Sequence, residues 1–100
     1  MKVDFFIVGA PKSGTTSLYH YLNEHPEIIM SDKKEPDYFS DESIQRIGMY
    51  YIKSRVDSIE KYHALFNNFT NDKIKGEASV SYLFYNDVPR KIFNYNPNAK

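Results

Sequence analysis

The chain has no cysteine, which excludes disulfides, thiolate metal sites and a cysteine nucleophile. It also lacks an excess of either charge, because thirteen basic and thirteen acidic side chains cancel. That balance removes the usual electrostatic ground for a nucleic-acid or anionic-membrane partner, so any anion site has to be local. No apolar run approaches the ~20 residues needed to span a bilayer, and residues 1–8 lack the long apolar stretch of a signal peptide. These absences lead us to expect a soluble, cytoplasmic protein. His20, His25 and His63 have no recognised metal-ligand spacing; they read as helix-surface residues, and no metal is expected.

What remains is ordinary globular material. Hydrophobic residues at 41% and charged residues at 26% suffice for a core, and 100 residues allow one compact domain. The length is short for an α/β enzyme that must hold both a nucleotide and an acceptor. Phe5-Phe6-Ile7-Val8 is a continuous apolar run ended by Gly9, as expected of a strand buried on both faces of a parallel sheet. Leu18, Tyr21, Leu22 and His25 then repeat at helical spacing, with Thr15, Thr16 and Ser17 as N-cap hydroxyls. The pattern predicts a helix from Thr15 to Glu24, stopped at His25 by Pro26. Ile28-Ile29-Met30 is a second short strand, and the charged stretch from Ser31 to Asp41 is a loop. Ile44 to Val56 and Ile59 to Phe69 carry helical spacing, and Asn67, Asn68, Asn71 and Asp72 form a turn. Ile74 to Ser81 is predicted extended, and Asn86 to Tyr95 helical, with Pro89 in the first turn. Residues 96–100 then form a turn that normally leads into a further strand.

Gly9 and Gly14 enclose four residues, the spacing of a phosphate-binding loop between a strand and a helix. Such a loop lets the backbone curl around an anion, while the N–H groups opening the helix point at it with the favourable end of the helix dipole. The nucleoside-triphosphatase version continues Gly-Lys-Ser/Thr. Here Thr15 follows Gly14, and the lysine stands earlier, at Lys12.

Pro11-Lys12-Ser13-Gly14-Thr15-Thr16-Ser17-Leu18 resembles the 5′-phosphosulfate loop of the sulfotransferases, whose donor is 3′-phosphoadenosine-5′-phosphosulfate. Lys34-Glu35-Pro36-Asp37-Tyr38-Phe39 is similar to the Lys-Glu-Pro-His-Phe-Phe segment of the heparan-sulfate-type enzymes. Gly76-Glu77-Ala78-Ser79-Val80-Ser81-Tyr82-Leu83 is similar to their Glu-Lys-(Ser/Thr)-Pro-x-Tyr segment. The resemblance implies an α/β fold with a parallel sheet core, related to the phosphate-binding-loop kinases, of which residues 1–100 are the N-terminal part of a single domain. It implies that Lys12, Ser13, Gly14, Thr15, Thr16 and Ser17 surround the 5′-phosphate and sulfuryl group. By the same resemblance Lys12 stabilises charge on the bridging oxygen, and Glu35 is the general base toward a hydroxyl or amine of a small-molecule or glycan acceptor. The family's 3′-phosphate site corresponds to positions beyond Lys100. Two positions depart from the pattern: Ala78 replaces a common lysine, and Asp37 a common histidine.

Other readings share these residues. A nucleotide kinase uses the same loop but requires lysine after Gly14 and a magnesium-binding acid at a later strand end. A non-catalytic module would bind phosphate, or a partner chain, without turnover. Without the resemblance Glu35 reads better as a solvated loop residue, whereas Glu77 reads equally as a site residue or a charge at a strand end. Ser79 and Ser81 read better as cap or turn hydroxyls than as substrate contacts. Tyr50, Tyr51, Tyr62 and Tyr82 read as core residues with polar tips.

Overall fold

A computed structural model describes residues 2–9, 14–47, 56–66 and 73–100. Three parallel strands, β1 (Phe5–Ile7), β2 (Ile28–Met30) and β3 (Ile74–Ala78), form a sheet in the order β1-β3-β2. Parallel neighbours require crossover connections. Helix α1 (Thr15–Asn23) lies between β1 and β2 in the chain, and α2 (Asp41–Ile47) and α3 (Ile59–Ala64) between β2 and β3. After β3 come a 3-10 helix (Val80–Phe84) and α4 (Val88–Tyr95). Lys100 then pairs with the outer edge of β1: its N–H donates to the Asp4 carbonyl and its carbonyl accepts from Phe6 N–H.

The apolar run of β1 is divided between two cores, which is why it does not alternate with polar residues. Phe5 and Ile7 pack with Tyr19, Leu22, Met30 and Ala78 on the α1 side. Phe6 and Val8 pack with Val3, Phe39, Tyr62, Tyr82, Val88 and Ile92 on the other. Both faces of the sheet are thus covered, as parallel sheets require. Gly76 in the central strand lies under the Phe5 ring, and a Cβ there would come within 2.1 Å of it. Phe39 is the centre of an aromatic cluster, edge-on to Tyr95 at 5.2 Å, Tyr62 at 5.5 Å and Phe6 at 5.8 Å. Tyr62 and Tyr82 are therefore core residues with polar tips, as expected; Tyr50 and Tyr51 lie outside the described residues.

Several boundaries differ from expectation. The extended segment ends at Ala78 instead of Ser81, because Val80 N–H turns to the side chain of Glu35 rather than to a neighbouring strand. Helix α1 ends at Asn23, where Glu24 and His25 N–H groups reach back three residues to Tyr21 and Leu22. Its N-cap is Gly14, not a hydroxyl residue. Helix α2 opens at Asp41, with two acids in its first turn where they favour the dipole. Of the expected continuation to Val56, residues 48–55 lie outside the described residues and Val56 itself is buried but not helical; the segment 67–69 and the asparagine turn also lie outside the described residues. In α3 the Ser58 hydroxyl accepts from Lys61 N–H at 3.1 Å, a side-chain N-cap. His20 and His25 are exposed, whereas His63 is half-buried against Tyr95, its Nε2 2.9 Å from the phenol oxygen. Burial, with the N-terminus and Lys2 nearby, holds the His63 pKa below its usual value.

Candidate functional site

The carboxyl ends of parallel strands share one edge of the sheet, and three segments converge there. Gly9 follows β1, the Ser31–Asp37 loop follows β2, and Ser79 with the 3-10 helix follows β3. Leu83 packs over Gly9 so closely that a Cβ on the glycine would meet its side chain at 2.9 Å. The Tyr19 hydroxyl of α1 donates to the Ser31 carbonyl, joining the first helix to the loop after β2.

Gly14 has φ 90°, in the left-handed region that favours glycine, and opens α1 directly. No side chain caps this helix, and its first turn holds no acidic residue. The Thr15, Thr16 and Ser17 N–H groups therefore present the positive end of the dipole without a competing carboxylate. Thr15 is buried, whereas Thr16 and Ser17 are exposed. This is a chemical setting that suits a phosphate or sulfate. Lys12 and Ser13 lie outside the described residues.

Glu35 and Asp37 both adopt left-handed backbone, with φ 62° and 56°, on either side of the buried Pro36. Non-glycine residues hold such angles only when their surroundings over-determine them. Here the exit of β3 does so twice. Glu35 N–H donates to the Ala78 carbonyl at 2.8 Å, and Glu35 Oε1 accepts from Val80 N–H at 2.8 Å. Asp37 N–H donates to Ser79 Oγ at 3.0 Å, and Asp37 Oδ1 accepts from Ser81 Oγ at 2.6 Å. Glu35 Oε2 is paired with Lys34 Nζ at 2.6 Å. A carboxylate has about four acceptor positions, so these two contacts leave lone pairs free. Burial pushes the Asp37 pKa up, against the Ser81 hydrogen bond; the Glu35 charge adds to the rise, and Lys33 and Lys34 oppose it. Ser79 and Ser81 thus serve as loop-fixing hydroxyls, in line with expectation.

Glu35 and Asp37 line a cleft of about 490 Å³, together with Ile44, Val80, Ser81, Phe84 and Tyr85. A larger cleft, of about 730 Å³, is lined by Asp41, Glu42, Asp57 and Lys91 among others. None of its described lining residues is a predicted site residue. Of these two clefts, the smaller is the one lined by a predicted site residue, Glu35.

Glu77, at the penultimate position of β3, is fully buried. Its Oε2 accepts from the hydroxyls of Tyr62 at 2.7 Å and Tyr82 at 2.6 Å, and its Oε1 from Ser79 at 2.7 Å. Burial pushes its pKa up to about 7, against those three hydrogen bonds, with Asp37 adding to the rise. Both tyrosine hydroxyls are in turn held well above their ordinary pKa by burial and by the Glu77 charge. Glu77 is neither a solvated charge nor, with no exposed surface, a residue that reaches the cleft. The sequence did not reveal this network; the available signal was the pair of tyrosines predicted for the core, whose hydroxyls need partners.

Residues 4–97 match the sequence profile of the Sulfotransferase family. The chain belongs to the sulfotransferase family. A solved relative, the sulfotransferase from Alicyclobacillus acidocaldarius, superimposes with a TM-score of 0.82 at 34% identity, covering 100% of this chain and 42% of its own. Among curated sulfotransferases, the membrane-associated sulfotransferase kil1 of Dictyostelium discoideum is 31% identical over 97% of this chain. Human carbohydrate sulfotransferase 15 is 36% identical over 84% of this chain. The chain spans 19% and 18% of those two relatives. The family match removes the nucleotide-kinase reading of the glycine loop. Among the described residues no helix is long and apolar enough to cross a membrane, and no group of three or more His, Asp or Glu side chains could hold a metal ion.

Proposed function

We propose that the chain forms the N-terminal part of a single sulfotransferase domain, which transfers a sulfuryl group from 3′-phosphoadenosine-5′-phosphosulfate to a hydroxyl or amine. The observation that carries this reading is the shared edge of the sheet. Glu35 is hydrogen-bonded to Ala78 on one side of β3, while Ile7, which leads into the glycine loop, is the register partner of Ala78 on the other. Two strand spacings, about 10 Å, therefore separate the backbone of the candidate base from the strand that feeds the anion loop.

In this reading the Thr15, Thr16 and Ser17 N–H groups, Gly14, Ser13 and Lys12 hold the 5′-phosphosulfate. Glu35 accepts the proton of the acceptor hydroxyl or amine, and the acceptor atom attacks sulfur. The bond from sulfur to the bridging oxygen breaks, and its electron pair stays on the 5′-phosphate. Lys12 and the helix terminus stabilise that charge. The cleft beside Glu35 receives the acceptor. The acceptor in this reading is a carbohydrate or glycolipid; the carbohydrate part is supported by the names of the relatives, which include a human bifunctional heparan sulfate N-deacetylase/N-sulfotransferase 29% identical over 96% of this chain.

The test is ligand choice. In a protein that contains the complete domain, 3′-phosphoadenosine-5′-phosphate should raise the thermal midpoint more than ATP with magnesium does, because preferential binding to the folded state appears as such a shift. Greater stabilisation by magnesium-ATP would overturn the donor assignment.

A further inference from the structure

Glu77 is a buried ionisable group for which the transfer chemistry has no use, yet its contacts lead, through two hydroxyls, to Asp37 and Phe39 in the loop that carries the candidate base. Ser79 Oγ donates to Glu77 Oε1 and accepts from Asp37 N–H at 3.0 Å. Tyr82 Oη donates to Glu77 Oε2 and accepts from Phe39 N–H at 3.3 Å. We propose that Glu77 is a positioning residue for the Glu35–Phe39 loop, acting through the hydroxyls of Ser79 and Tyr82.

Proton direction is what couples Glu77 to the loop. A hydroxyl has one proton and two lone pairs. Once the ionised carboxylate, the form present above about pH 7, takes the protons of Ser79 and Tyr82, only lone pairs remain to face the loop, and these accept the N–H groups of Asp37 and Phe39. Glu77 thereby fixes the sense of both bonds. The loop needs such external support, because Glu35 and Asp37 both hold left-handed backbone angles. Tyr62 from α3 supplies the third hydroxyl, and Tyr95 from α4 and Asp37 from the loop are the other ionisable groups whose charges couple to Glu77. None of these partners is a cation.

Glu77→Gln in the full chain tests the proposal, since it keeps the size but substitutes an NH₂ donor for one acceptor oxygen. Residue-resolved hydrogen exchange should show the Asp37 and Phe39 amides exchanging about tenfold faster or more. The Asp4 and Ser79 amides, which donate to Lys75 and Ile7 carbonyls within the sheet, should be unchanged. Tyr82→Phe, which keeps the ring, should accelerate Phe39 alone. The kinetic consequence rests on the proposed sulfuryl transfer: kcat should fall about tenfold while the donor KM stays within about twofold. Unaltered loop amides in both variants, uniform acceleration including Asp4 and Ser79, or faster loop exchange with unchanged kcat would each overturn the proposal. If the wild-type chain transfers no sulfuryl group, the exchange data still decide loop positioning, and only the transfer reading falls.

Discussion

Val80, the first residue of the 3-10 helix, donates its backbone N–H to Glu35 Oε1 at 2.8 Å. The same contact that ends the central strand therefore orients the carboxylate facing the cleft. A backbone donor cannot swing away as a side chain can, so Glu35 is held at one oxygen while Lys34 pairs with the other.

From this arrangement follows the expected behaviour of Glu35→Gln. The amide keeps the size, and its oxygen can still accept from Val80 N–H, but it cannot take a proton. Turnover should drop by roughly 10²–10⁴-fold with donor affinity nearly unchanged. Steady-state kinetics beside a direct nucleotide titration would check this. Unchanged kcat would retire Glu35 as the base, and parallel losses of rate and affinity would make it a donor-binding residue.

The glycine loop makes separable demands on charge and on backbone. Gly14 holds φ 90°, where a β-branched side chain is a steric outlier. Gly14→Val should therefore abolish detectable binding of 3′-phosphoadenosine-5′-phosphate in calorimetric titration. Lys12→Ala should leave the fold intact and reduce turnover by on the order of 10²-fold. Near-wild-type turnover in Lys12→Ala would remove the lysine from the mechanism.

The sequence made β1, α1 and β2 legible because each is bounded by a local signal: Gly9, Gly14 and Pro26. The end of β3 was not legible. Residues 79–82 alternate polar and apolar as a strand would, and what stops the ladder is the pair Glu35 and Asp37, more than forty residues away in the chain. Glu35 itself came from resemblance, since nothing in its charged neighbours distinguishes it from a solvated glutamate. Its positive φ is not a property that a glutamate codon announces. Glu77 was ambiguous for a related reason. An acid at a strand end looks the same whether it meets water or three hydroxyls, and two of those hydroxyls come from helices on either side of it in sequence.

The buried network also has a consequence for stability that needs no catalytic assay. Glu77 has a folded pKa raised to about 7, chiefly by burial, against an ordinary value of 4.5 for an unperturbed glutamate. Between those values the folded chain retains a proton that the unfolded chain releases. Its contribution is thus fully present below about pH 4.5 and is lost as pH rises through about 7, after which it is flat. The difference corresponds to about 3 kcal/mol. Asp37, also raised by burial, acts in the same direction, whereas His63, lowered by burial, acts in the opposite one. Both groups are also present in Glu77→Gln, which lacks only the titration of residue 77 and its coupling to Asp37, so the difference between the two proteins reports Glu77. Urea midpoints converted to free energies from pH 4.5 to 8 should show the wild type losing stability relative to Glu77→Gln as pH rises, with most of the change complete by pH 7.5. Parallel curves would mean that Glu77 titrates alike in both states, and a difference of opposite sign would mean that its three hydrogen bonds outweigh burial and hold it ionised.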